Sequence, residues 1–182
     1  MRRLLVLALY LPLAAQAQVT RFELTGPPEP AFGGRESGSA GRYERITGRA
    51  TIAVDPADTR NAVIADIALA PRNAQGRVEA TADVVILRPA EASRGNGTLL
   101  VEVPNRGRKL ALPLFNDAPD DERKGDPGNG FLYERGFSLA WVGWQGDFRP
   151  ADGQLGITVP RLAGVTGRCG RSRSSTMPAA RR

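Results

Sequence analysis

The residues best able to do covalent chemistry are serines without a base to activate them: the 182-residue chain holds no histidine. Without imidazole there is no serine, histidine and acid triad, no cysteine and histidine pair and no histidine-ligated zinc. A nucleophile elbow needs glycine two residues either side of its serine, because the strained turn leaves no room for side chains. The nearest pentapeptides are Gly136-Phe137-Ser138-Leu139-Ala140 and Gly170-Arg171-Ser172-Arg173-Ser174. Ser138 opens an apolar run instead of ending one, and no strand precedes Ser172, so neither is expected to be a nucleophile and no catalytic residue is assigned. Asp117, Asp120, Asp121, Glu122 and Asp126 form an acidic stretch. Their spacing does not match the alternating acids and closing glutamate of a calcium loop, so a solvated loop is expected and no metal. Trp141 and Trp144 stand three apart on an apolar run and face opposite ways if the run is a strand. Core packing accounts for both; Trp144, near the end of the run, is also a possible ligand platform.

Composition locates the charge. The chain has 25 basic and 19 acidic residues. Met1-Arg2-Arg3, an apolar run from Leu4 to Ala14 and Ala15-Gln16-Ala17 read as a secretory leader cut after Ala17. The run is too short to span a bilayer as a mature helix. Arg168 to Arg182 holds five arginines and no acid. Without these two ends 18 basic residues remain against 19 acidic ones, a net charge of −1 that excludes a nucleic-acid-binding body. Cys169 is the single cysteine, so no internal disulfide is expected. The expected division is therefore leader 1–17, domain 18–166 and basic tail 167–182. A change of reading frame near Gly167 is the expected origin of the tail, with a genuine basic tail as the alternative.

The elements that must position any site read as strands between glycine and proline punctuation. Strands are expected over Val19 to Thr25, Tyr43 to Val54, Val63 to Leu69 and Val78 to Leu87. Leu99 to Val103, a nearly continuous apolar run ended by Pro104, suits a strand covered on both faces. Pro113 prevents a long helix downstream. Phe131 to Arg135 reads as a short helix stopped by Gly136, and Phe137 to Trp144 as another apolar strand. Two such strands joined by more than thirty residues suit a parallel crossover.

Four segments carry a resemblance. Tyr43-Glu44-Arg45-Ile46-Thr47-Gly48-Arg49-Ala50, Pro71-Arg72-Asn73-Ala74-Gln75-Gly76, Val103-Pro104-Asn105-Arg106-Gly107 and Val142-Gly143-Trp144-Gln145-Gly146-Asp147 together resemble exported bacterial α/β-hydrolase domain proteins of uncharacterised function. The likeness covers about Phe22 to Thr166 and the amino-terminal part of such proteins. It implies an α/β fold: antiparallel strands leading into the start of a mainly parallel sheet, incomplete in this chain. It further implies that Asn105, Arg106 and Gly107 form the oxyanion loop of complete relatives, which would cleave small ester-like substrates without a cofactor. A plain turn is the other reading of these three residues.

The resulting expectation is a truncated, inactive hydrolase domain with an unpaired sheet edge and poor solubility. The alternative is a secreted β-rich glycan- or peptide-binding domain that works through Trp144 or a sheet face. Neither reading involves a nucleic acid, or a membrane once the leader is removed.

Overall fold

Two long strands organise the molecule, and both arise from alternation of side chains between glycine- and proline-bounded ends. The computed structural model describes residues 17–162; all but the last residue of the expected leader 1–17, together with Cys169, Ser172 and the basic tail, lie outside them. β1 (Gln18–Leu24) is followed by the two-residue strands β2 (Glu29–Pro30) and β3 (Glu36–Ser37), and then by β4 (Gly41–Val54). β5 (Val78–Pro89), β6 (Leu99–Glu102), β7 (Ser138–Val142) and β8 (Ile157–Thr158) complete the sheet. Its order is β1-β4-β5-β7-β6, with β2 and β3 also pairing β4, and β8 pairing β5. β4 and β5 run antiparallel in unbroken register from Tyr43 opposite Pro89 to Val54 opposite Val78. β6 and β7 pair in parallel, as the separation of the two apolar runs predicts.

Register assigns the faces, because directly opposed residues share one. Val85 stands between Thr47 and Trp141, and Leu87 between Arg45 and Leu139. Tyr43, Val85, Leu87, Leu139 and Trp141 meet Phe32, Leu112, Leu132 and Tyr133 in one buried cluster. Leu87, Leu139 and Trp141 are completely buried; truncating such a leucine to alanine typically costs about 2–5 kcal/mol. The Tyr43 ring meets Tyr133 edge-on at 5.1 Å, and its Oη lies 2.9 Å from the Phe137 carbonyl and 3.1 Å from that of Tyr133. Burial pushes the Tyr43 phenol up to about 12.

On the other face small residues sit among branched ones: Ile46, Gly48, Ala50, Ala82, Val84 and Ala140. A side chain on Gly48 would stand 2.8 Å from the Phe22 ring, so glycine here lets β1 lay that ring across β4.

The expected α/β-hydrolase-like start is not what the chain builds. The sheet is mixed and largely antiparallel, with few helical residues. Its only α-helices among the described residues are α1 (Ala111–Asn116) and α2 (Phe131–Glu134). The cause is local: Pro104, Pro113, Pro119 and Pro127 punctuate the segment where covering helices would have to form. Val63 to Leu69 is not a strand either. It lies in two 3-10 turns, Thr59–Val63 and Ile67–Leu69, with Asp66 between them at φ 56°. β4 pairs β5 directly, so this segment finds no neighbour to hydrogen-bond. Nor is β6 covered on both faces. Leu99 and Val101 are 54% and 57% exposed, so one of its faces is open. Gly136, at φ 72°, ends α2 as its sequence position predicts.

Candidate functional site

The loop after β6 and the segment after β7 are tied together, which brings Asn105, Arg106, Gly107 and Trp144 into one place. Pro104 ends β6, and Arg106 and Gly107 turn through left-handed conformations at φ 49° and 76°. Trp144 Nε1 donates to the Pro104 carbonyl at 2.9 Å, and the ring remains 54% exposed. Arg106 N–H donates to Gln145 Oε1 at 2.5 Å. The Arg106 guanidinium reaches Asp147 at 3.2 Å and lies 4.8 Å from the Phe148 ring centroid.

An oxyanion approaching the Arg106 N–H would therefore have to displace the Gln145 carboxamide. Ser138 is at the far end of β7, roughly 20 Å along the chain direction at about 3.3 Å per residue. The geometry is that of a braced loop beside an exposed indole.

Gly107 shows how tight the brace is. Its carbonyl accepts from Leu155 N at 3.1 Å, and a side chain at Gly107 would stand 2.5 Å from the Leu155 backbone nitrogen and oxygen. Gly107→Ala combines this clash with positive φ and is expected to cost about 2–3 kcal/mol, read as a lower urea midpoint at unchanged slope.

Glu102 anchors the same end of the sheet from its inner face. One carboxylate oxygen accepts from Leu110 N at 2.8 Å; the other accepts from Ala111 N at 2.8 Å and Trp141 Nε1 at 2.6 Å. It thus satisfies donors at the start of α1 that have no partner within the helix, and fixes the buried indole. Glu102 carries no role in the expectations drawn from the sequence; a lone carboxylate inside the apolar run 99–103 is the signal that could have found it.

A second polar centre lies under the sheet. Glu122, fully buried, receives Arg45 Nε at 2.7 Å and pairs Lys109 Nζ at 2.9 Å. Lys109 is 1% exposed and also donates to the Gly153 carbonyl at 2.9 Å. Two cations and a backbone acceptor compensate the burial of these charges. Nothing in the spacing of Arg45, Lys109 and Glu122 announces the cluster, and Glu122 is one of five acids in a stretch read as solvated.

The other acids of that stretch do lie near the surface. Asp120 pairs Arg108 at 3.0 Å, and Asp126 accepts from Gly128 N at 2.9 Å. Asp121 accepts hydrogen bonds from the backbone N–H, Nε and Nη2 of Arg123, which also reaches Asp152 at 2.7 Å. The described residues contain no group of three potential metal ligands.

Hydrogen bonding from the Arg123 side chain holds the Asp121 carboxyl down at about 2, against a partial opposing effect of burial. A depressed carboxyl contributes stability that is present above its unfolded value near 4 and is lost as pH falls towards 2. Asp121→Asn is expected to flatten the stability profile in that window, measured by urea titrations at stepped pH.

No family model, no curated protein and no solved structure matches this chain.

Proposed function

We propose that residues 17–162 form a non-catalytic binding domain of an exported protein, and that the β6 edge receives an extended apolar polypeptide segment as an added strand. The observation that carries this reading is the edge itself. Ser138 N–H donates to the Thr98 carbonyl, so alternation along β6 turns the backbone groups of Leu99 and Val101 to the unpaired side. Leu99, Val101 and Val103 are 54–62% exposed, and the β6 run carries no outward charge.

The opposite edge is guarded. β1 carries Arg21 and Glu23, paired at 2.6 Å, and charged side chains of this kind discourage strand addition. β6 lacks the guard, which favours an edge meant to be paired.

Ester hydrolysis is not proposed for this chain, which supplies neither histidine nor an elbow serine. Export rests on the leader reading of residues 1–17. Among the described residues no helix is long and apolar enough to cross a membrane.

A soluble peptide of alternating valine and threonine, flanked by lysines, is a suitable probe. Saturable binding is expected by calorimetry, with loss of binding when alternate residues are made proline and can no longer donate. Equal binding of the two peptides, or no binding of either, would contradict the proposal.

A further inference from the structure

A polar cavity of about 260 Å³ opens on the inner face of the sheet, between β4, β5 and the 153–155 loop, across β5 from the β6 edge. Four cations line it, Arg45, Arg49, Lys109 and Arg123, against the single carboxylate of Asp83. Three of the four are committed. Arg45 and Lys109 are bound to Glu122 behind the wall, and Arg123 to Asp121 and Asp152.

Arg49 differs. Its nearest carboxylate oxygen is that of Asp83 at 3.7 Å, outside hydrogen-bond reach, while the other oxygen of Asp83 accepts from Gly156 N at 3.1 Å. A planar guanidinium at a cavity mouth, paired with one carboxylate only beyond hydrogen-bond distance, is shaped for bidentate contact with another.

Beside it, the hydroxyls of Thr25 and Thr47 stand 2.9 Å apart, and Gln154 lies on the opposite wall. These groups match hydroxyls. Val85 and Leu155 supply an apolar floor. The volume falls just below the usual range of about 300–1,000 Å³ for ligand sites, which limits an occupant to a single ring.

We infer that this cavity binds a small hydroxylated carboxylate of the sugar-acid class, with Arg49 reading the carboxylate and Thr25, Thr47 and Asp83 reading hydroxyls. The site is independent of the β6 edge, so either proposal can fail alone.

The test is calorimetric titration of the full chain with sodium D-glucuronate, and with D-glucose as the uncharged comparison. Glucuronate is expected to bind saturably and glucose not at the same concentrations. Arg49→Gln, at a side chain 62% exposed, should leave the melting curve unchanged and weaken glucuronate at least about tenfold, because a charged bidentate contact is lost. Thr47→Val should weaken it by a smaller factor. Absence of glucuronate binding, unchanged affinity in Arg49→Gln, or glucose binding as tightly as glucuronate would each overturn the assignment.

Discussion

Glu122→Ala is expected to lower folding stability by about 3–5 kcal/mol, because it leaves the buried Lys109 ammonium without its carboxylate and removes the main partner of Arg45. Against a typical total of about 5–15 kcal/mol, that loss brings the chain close to unfolding. Urea denaturation followed by tryptophan fluorescence measures it. The companion change separates charge from packing. Glu122→Leu combined with Lys109→Met removes the buried pair and fills the space, and should recover part of the loss, the remainder being the partner that Arg45 still lacks. If Glu122→Ala melts like the parent, the buried centre does not stabilise the fold.

Val101→Lys is expected to have the opposite profile. Its side chain is 57% exposed on an edge strand, so stability should change by no more than about 0.5 kcal/mol. Peptide binding should fall by at least about tenfold, because a lysine on the receiving edge must be desolvated for a strand to pair there. Parallel urea melts and calorimetric titrations check both halves. Loss of binding with loss of fold would not support the edge; loss with the fold intact would.

The parts of the fold readable in the sequence were those dictated by local alternation and punctuation. β4 and β5 alternate over long stretches between glycine and proline boundaries, and Gly136 marks the end of α2. What local pattern cannot give is the neighbour. Val63, Ala65, Ile67 and Leu69 alternate like a strand, yet β4 already satisfies β5, and the segment turns at Asp66 instead. The apolar run at β6 suggests a strand covered on both faces, yet Leu99 and Val101 remain open and the inner face carries Glu102.

The same limit applies to the sites. Trp144 and the 105–107 loop stand out as an aromatic and a glycine turn after apolar runs, and the structure brings them together through Pro104 and Gln145. Whether the Arg106 N–H is occupied depends on a side chain nearly forty residues away in sequence. Arg45, Lys109 and Glu122 converge only through tertiary packing, and no spacing rule links them. Glu102 is the residue whose role was open to inference, as the one charge in an otherwise apolar strand.

Amide hydrogen exchange along β6, with and without the valine–threonine peptide, tests the edge most directly. The Val101 amide faces the unpaired side of the sheet, so it should exchange rapidly in the free chain and become protected when the peptide is added, while the β4 and β5 amides stay unchanged. A Val101 amide already protected in the free chain, or one left unprotected at saturating peptide, would contradict strand addition at this edge.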